Sequence, residues 1–179
     1  MSSHPYHEMT AMAGLVRPHY RALAAWLART DASRIAQKRE EAELAFHPVG
    51  ITLAVYGEHA GTERLIPFDI VPRIIPAEEW TVLERGLKQR VHALNMFLED
   101  VYHDQRILKS GTIPAERVLN NTQFRQEMVG MKVPGGIYAH VAGVDIVRAG
   151  VGDYYVLEDN LRVPAGVSYM LENRRMMMR

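Results

Sequence analysis

The stretch that decides the fold prediction is Tyr154–Gly166, which reads YYVLEDNLRVPAG. It opens with aromatic and aliphatic residues, a composition typical of a β-strand that crosses a core. A polar cluster follows at once in Glu158–Arg162, and Pro164 ends the strand because proline has no backbone N–H to donate. A strand that is apolar first and polar at its end indicates a site where the chain leaves the core.

A second strand candidate, Ile137–Arg148, precedes this stretch, and a short loop with two glycines joins the two. Such a loop predicts an antiparallel hairpin. Side chains alternate between the faces of a strand, so Glu158 and Asn160 share a face. If the loop spans Gly150–Asp153, Asp145 lies opposite Glu158. We therefore expect a patch of three oxygen-bearing side chains at one edge of the sheet.

Two carboxylates in direct opposition repel each other, so the predicted patch needs a compensating positive charge. Carboxylate and amide oxygens suit Mg²⁺, whose sites combine one or two carboxylates with phosphate oxygens. Arg162 lies just beyond, and its guanidinium group is suited to bidentate binding of a phosphate or carboxylate. The pattern also fits a solvated strand end in which Asn160 makes an Asx turn. The residues by themselves leave both interpretations open.

The composition is that of a soluble globular protein of 179 residues, 47% hydrophobic and 23% charged. Lys+Arg and Asp+Glu both number 21, and this balance does not favour binding to nucleic acid or membranes. Cysteine is absent, which excludes disulfides and thiolate metal sites. No apolar run approaches the ~20 residues of a membrane span, and the first residues lack a secretion-signal pattern. The expected location is cytoplasmic, without nucleic-acid or membrane partners.

Helical patterns dominate the rest of the chain. Residues Leu15–Ala45 predict helix, with a break near Thr30 that begins a second helix. The clearest helix is Pro76–His103, where apolar side chains recur at three- and four-residue steps. We interpret its other face, with Arg85, Lys88, Arg90 and Glu99, as solvated surface. Two short strand candidates between these helices, Ile51–Tyr56 and Glu63–Phe68, predict a further hairpin.

The polar strand end and the residues after it resemble the signature of the circularly permuted ATP-grasp proteins, often described as glutathionylspermidine-synthase-like. The resemblance covers roughly residues 50–174. The segments that carry it are Pro67–Ile75, Leu94–Tyr102, Gln105–Leu108, His140–Arg148 and Val156–Arg174. One departure is Ala165, where the family pattern leads us to expect serine.

The resemblance implies ATP-dependent carboxylate–amine ligation through an acyl phosphate, with ATP and Mg²⁺ as cofactors and small-molecule or peptide carboxylates and amines as substrates. The family's metal ligands are an Asp on one strand and a Glu-x-Asn on the next. Asp145, Glu158 and Asn160 match them. Arg162 is then the expected catalytic residue, near the transferring phosphate or the substrate carboxylate. Ser168, near a helix start, is expected to bind substrate or phosphate.

The predicted fold is mixed α/β: a partial ATP-grasp-like lobe with an antiparallel metal-ligand hairpin and flanking helices. We expect residues 1–48 to form a helical N-terminal segment and residues 49–179 the N-terminal portion of a permuted ATP-grasp protein, without the lobe that clasps the nucleotide. Such a portion is expected to pack against the remainder of its own polypeptide and to have little or no ligase activity alone. The alternative is a non-catalytic binding or interaction module, or a truncated remnant that retains the fold.

Overall fold

The structure is a computed structural model, and it describes residues 6–46, 52–54, 63–65, 68–164 and 166–178. The helices are α1 (Arg21–Arg29), α2 (Ala32–Phe46), α3 (Ala77–Tyr102), α4 (Arg106–Lys109), α5 (Ala115–Leu119) and α6 (Val167–Met177), and the strands are β1 (Thr52–Ala54), β2 (Glu63–Leu65), β3 (Gly143–Gly150) and β4 (Asp153–Asn160). The predicted mixed α/β class is therefore confirmed. No helix in the described segments combines the length and the apolar character that crossing a bilayer requires.

The chain divides into two compact units. The first takes in residues 1–76, 149–151 and 165–179, and the second takes in residues 77–148 and 152–164. The boundary expected after residue 48 stays a prediction, because residues 47–50 lie outside the described residues.

The first unit contains the deeply buried side chain of Tyr20, which is 2% exposed. Its hydroxyl accepts a hydrogen bond from the backbone N–H of Ile74 at 2.8 Å, which ties the extended segment before α3 to the helical one. Helix α1 ends at Thr30, whose hydroxyl donates to the carbonyl of Trp26 at 2.7 Å. This ending confirms the predicted break between the first two helices.

The hairpin expected from Ile51–Tyr56 and Glu63–Phe68 is present as the short antiparallel pair of β1 and β2. Thr52 lies opposite Leu65, and Ala54 lies opposite Glu63. Phe68 lies beyond β2, and the remaining residues of the two expected strands fall outside the described part of the chain.

Helix α3 confirms the helix predicted over Pro76–His103 and runs for 26 residues. Glu78 and Glu79 occupy its first turn, where negative charge interacts favourably with the helix dipole. Leu83 and Val101 on its apolar face are buried. The three- and four-residue periodicity is therefore the pattern of a helix that packs one face into the second unit.

The C-terminal end of α3 is joined to α4 by the carboxylate of Asp100. One of its oxygens accepts the backbone N–H of Arg106 at 2.9 Å, and the other accepts that of Ile107 at 3.0 Å. The Ile107 bond, aided by the Arg106 bond, holds the pKa of Asp100 below its usual value despite partial desolvation. The ionised side chain therefore organises the start of the short helix.

Strand β3 begins at Gly143, so the strand expected over Ile137–Arg148 starts too early in the prediction. The backbone N–H groups of Tyr138 and Ala139 donate instead to the side-chain oxygen of Asn95 on α3, at 2.8 and 3.1 Å. Because these two donors are held by a helix side chain, this segment runs along α3 and joins no sheet.

The same segment contacts α3 through the Tyr138 hydroxyl, which donates to Glu99 Oε2 at 2.7 Å. Burial, together with this bond to an anion, raises the pKa of Tyr138 to about 12. Glu99 lies on the face that the sequence predicts to be solvated, and it also accepts the hydrogen bond of this tyrosine.

Strands β3 and β4 form a two-stranded sheet, joined by the two-residue turn Val151–Gly152. Gly152 has a φ of +68°, a left-handed conformation that favours glycine. A turn of this length requires the strands to run antiparallel, which confirms the predicted hairpin. The turn is shorter than the Gly150–Asp153 loop of the prediction, since both of those residues belong to the strands.

The base of the hairpin is closed by a close backbone approach at Gly143. A Cβ atom at this position would lie 3.0 Å from the Cβ of Pro164 and 3.6 Å from the Cβ of Asn160. The start of β3 and the residues that leave β4 are therefore packed together, and a glycine makes the approach possible.

We expect Gly143→Ala to lower the free energy of unfolding by about 1–3 kcal/mol, because the added methyl group meets Pro164 and packed atoms must move. Gly86→Ala, within α3, is the control: a Cβ there meets nothing within 4 Å. That change should raise the stability by about 0.5–1 kcal/mol, since alanine is the better helix former. Urea unfolding followed by circular dichroism measures both effects. Changes of the same sign in the free energy of unfolding of both variants would contradict the close approach at Gly143.

The Asp100 carboxylate should make the stability depend on pH. Its folded-state pKa is lowered, so its contribution is present above the unfolded pKa of about 3.9 and is lost as the pH falls through the folded value. We expect the wild type to melt at a higher temperature than Asp100→Asn at neutral pH, and the gap to narrow below about pH 4. Thermal melts across this range test the claim, with Asp104→Asn as the control. A gap that stays constant in acid would argue against it.

Candidate functional site

Strand β3 presents alternate side chains to α3 and away from it. Val144, Ile146 and Arg148 are partly buried, whereas Asp145 and Val147 are exposed. Ile146 lines a groove against α3. Because neighbouring residues of a strand point to opposite faces, Asp145 projects from the face that is turned away from the helix.

The polar end of β4 is held to α3 by a bidentate ion pair between Arg90 and Asp159. Arg90 Nε donates to Asp159 Oδ1 at 2.7 Å, and Nη2 donates to Oδ2 at 2.6 Å. The hydrogen bonds from this guanidinium hold the pKa of Asp159 below its usual value. Since Asp159 points to α3, its neighbours Glu158 and Asn160 leave the opposite face.

The structure brings the side chains of Glu158 and Asn160 together. The amide nitrogen of Asn160 donates to Glu158 Oε1 at 2.9 Å. Asn160 also lies beside Gly143 at the base of the hairpin. In an antiparallel pair, two steps along each strand from that contact lead to Asp145 and Glu158. By this count the two carboxylates stand opposite each other on the face turned away from α3.

The donor set of this face is two carboxylates and one amide. Within the described residues, no group of three His, Asp or Glu side chains lies close enough together to hold a metal ion. The predicted set is of another kind, because it combines the carboxylates of Asp145 and Glu158 with the amide oxygen of Asn160. Two carboxylates and an amide fit Mg²⁺ when phosphate oxygens complete the coordination shell.

The two other predicted site residues lie on different parts of the chain. Arg162 follows β4, is exposed, and donates from Nη1 to Gln123 Oε1 at 2.5 Å. Ser168 is exposed in the first turn of α6, which follows Gly166 with a φ of +103°. Arg162 belongs to the second unit with the three oxygen ligands, and Ser168 belongs to the first unit.

A second ion pair attaches β3 to the start of α3. The side chain of Arg148 is 3% exposed and pairs with Glu79. Arg148 also donates to the hydroxyl of Tyr154, and that hydroxyl donates to Glu79 Oε2 at 2.5 Å. The guanidinium carbon lies 4.8 Å from the centroid of the Tyr154 ring. This cluster is a buried, charged anchor near the tip of the hairpin.

Strand β4 does not keep one regular alternation along its length. Tyr154 and Asp159 both reach α3, through Glu79 and Arg90, although an odd number of positions separates them. In a regular strand they would point to opposite faces. Both side chains nevertheless bond to α3, so alternation alone does not predict which residues of β4 face the helix.

A family model described as a circularly permuted ATP-grasp matches residues 72–179. The chain belongs to the circularly permuted ATP-grasp family. This ATP-grasp chain is 45% identical over 172 residues to an uncharacterised protein of Synechocystis sp., with 96% of the chain and 36% of the relative covered. It is 47% identical over 174 residues to an uncharacterised protein of Mycobacterium tuberculosis, covering 97% of the chain and 31% of the relative.

A further relative of this ATP-grasp chain is a Frankia alni protein named "Putative glutamate--cysteine ligase 2-3". The two are 42% identical over 173 residues, which is 96% of the chain and 20% of that relative. The chain thus spans about a third of the Synechocystis and Mycobacterium proteins and a fifth of the Frankia protein.

Arg90 is exposed, as predicted for this face of α3, and the structure adds its bidentate pair with Asp159. Arg90, Leu87 and Leu94 all line the groove against the hairpin. No local pattern identifies this pair in the sequence, because Val91 already occupies the stripe position between Leu87 and Leu94.

The groove between α3 and the hairpin has a volume of about 700 Å³. Its lining is mostly apolar, with Phe97 and Leu83 from the helix and Tyr155 and Val156 from β4. Tyr155 is 59% exposed. The hairpin of this ATP-grasp chain is therefore attached to α3 mainly by its two ion pairs, with an apolar groove between them.

We expect Arg148→Met to destabilise the protein by about 3–5 kcal/mol, because it leaves the largely buried Glu79 carboxylate without its cation. The double variant Arg148→Met/Glu79→Leu should recover much of that loss, since both charges are then removed. A double-mutant cycle in urea measures the coupling between the two sites. Purely additive effects would show that the pair does not act as a unit. Arg85→Met, an exposed arginine on α3, is the matched control.

Proposed function

We propose that this chain supplies the magnesium-binding hairpin of an ATP-dependent carboxylate–amine ligase. The observation that carries the proposal is the grouping of Glu158 and Asn160 on the face that also carries Asp145, in a chain of the ATP-grasp family. In the proposed reaction, a substrate carboxylate takes the terminal phosphoryl group of ATP and ADP leaves. An amine then attacks the acyl carbon, phosphate leaves, and an amide bond remains.

Asp145, Glu158 and Asn160 are the residues that would hold Mg²⁺. When bound, Mg²⁺ neutralises charge on the phosphates of ATP during phosphoryl transfer. The carboxylates of Asp145 and Glu158 would otherwise repel each other across the strands, so these residues need a cation in that position. The amide of Asn160, held beside Glu158, adds a neutral oxygen and leaves room for phosphate oxygens.

Arg162 is the proposed catalytic residue at the reacting phosphate or carboxylate. Arginine carries five donors in a planar fork, so the bond to Gln123 orients the guanidinium without using all of its donors. A preoriented cation stabilises the charge that develops on a transferring phosphoryl group. Ser168 stays a predicted substrate- or phosphate-binding residue, supported by its place in the first turn of α6.

We propose amino-acid-like or peptide carboxylates and amines as substrates, of the kind that glutathionylspermidine synthases join. The name of the Frankia relative supports this class, because a glutamate–cysteine ligase joins two amino acids. A second candidate function is a non-catalytic binding module that keeps the fold. The 179 residues alone are proposed to have little or no ligase activity.

Metal binding tests the proposed site directly. We expect the protein to bind Mn²⁺, a spectroscopic substitute for Mg²⁺, and to melt at a higher temperature with Mg²⁺–ATP. Glu158→Gln and Asp145→Asn should each weaken Mn²⁺ binding by at least about 10-fold, the loss that changes around metal ligands produce. Electron paramagnetic resonance titration gives the affinities.

The matched control for this titration is Asp153→Asn, which removes an exposed carboxylate from the other end of β4. Its affinity should stay within about twofold of the wild type, since it is not among the proposed ligands. Equal affinities in all four proteins would exclude the hairpin as the metal site. If the thermal shift produced by Mg²⁺–ATP is lost in Glu158→Gln, the ligase is favoured. If the shift is the same in Glu158→Gln as in the wild type, the binding module is favoured.

A further inference from the structure

We propose that Arg90 is a positioning residue for the metal-binding end of β4, and that it acts through Asp159. The inference rests on the proposed function, because the ligands it positions are Glu158 and Asn160. Arg90 itself lies on α3, and its role is to set the face from which those two side chains project.

The geometry of the ion pair supports this role. Both Nε and Nη2 of Arg90 bond to the two oxygens of Asp159, at 2.7 and 2.6 Å. A bidentate pair fixes the plane and direction of a carboxylate, which a single charge contact does not. Asp159 stands between Glu158 and Asn160 in the strand, so fixing one side chain on the α3 side fixes the other two on the far side.

The position of Arg90 also indicates a role beyond stability. Arg90 lines the groove against the hairpin together with Leu87 and Leu94 of the apolar stripe. Its side chain is 44% exposed and that of Asp159 is 16% exposed. Ion pairs of this kind contribute little to stability compared with apolar packing, and they provide orientation instead.

The hairpin needs such an anchor at this end. A two-stranded hairpin is marginally stable by itself and needs contacts with another element to hold a fixed position. The Arg148–Glu79 pair holds the hairpin near its tip, where it acts on β3. Arg90 holds the base, next to the proposed ligands, and we expect the side chains at the end of β4 to lose their fixed direction without it.

The sign of the effect separates positioning from simple electrostatics. A cation near a metal site repels the metal, so removing the Arg90 charge by itself should tighten binding. Loss of positioning has the opposite result, because the ligands no longer converge. Arg90→Lys separates the two further: it keeps the charge and loses the bidentate fork.

The experiment measures Mn²⁺ affinity in Arg90→Gln, Arg90→Lys, Glu158→Gln and the control Arg85→Gln, which removes an exposed arginine from the same helix. We expect Arg90→Gln and Arg90→Lys each to weaken Mn²⁺ binding by about 10-fold, as changes in groups that orient metal ligands do. Arg85→Gln should stay within about twofold of the wild type. Circular dichroism checks that each variant is folded. If Arg90→Gln does not fold, the Mn²⁺ affinity of Arg90→Lys alone tests the positioning role.

The outcomes are distinct. Unchanged or tighter binding in the Arg90 variants, with weak binding in Glu158→Gln, overturns the positioning role and leaves the metal site standing. Wild-type binding in Glu158→Gln overturns the metal site itself, and the positioning role with it. Weaker binding in both Arg90 variants and in Glu158→Gln supports the proposal.

Discussion

The attachment of the β3–β4 hairpin to helix α3 is the constraint on which the site depends. Two strands alone have too little buried surface to hold a defined position. Arg148 pairs with Glu79 near the tip, and Arg90 pairs with Asp159 at the base. Because Asp159 is fixed toward the helix, its neighbours Glu158 and Asn160 leave the strand on the other face. The polar face of the hairpin is thus a consequence of where its charges are bound on the opposite face.

Helix α3 serves as the rigid element to which several parts of the second unit are fixed. Asn95 holds the segment before β3 through two backbone N–H groups, and Glu99 accepts the hydroxyl of Tyr138. Asp100 joins the helix to α4. These contacts come from polar side chains at the edges of an apolar stripe. Apolar packing provides the attraction between the elements, and the polar contacts select one arrangement among the many that packing permits.

The proposed metal-binding role of the hairpin depends on the membership of the chain in the circularly permuted ATP-grasp family. Carboxylates on adjoining strands are common surface features, and a pair such as Asp145 and Glu158 does not by itself indicate a metal. In a family that handles ATP, the same pair beside the amide of Asn160 has the composition that Mg²⁺ and phosphate require. The chain spans about a third of the Synechocystis and Mycobacterium relatives and a fifth of the Frankia relative.

The sequence by itself determined the mixed α/β class, helix α3 and the hairpin, because periodicity and turn residues act over a few positions. Alternation along β4 also predicts the set of oxygen side chains, and of these the structure shows Glu158 and Asn160 in contact, while the metal site stays a prediction. Tertiary structure alone decided the start of β3, where Asn95 captures two N–H groups, and the partner of Arg90, which lies 69 residues away in the chain. Contacts of that range depend on how elements pack, and a local pattern carries no information about which distant group a side chain will meet.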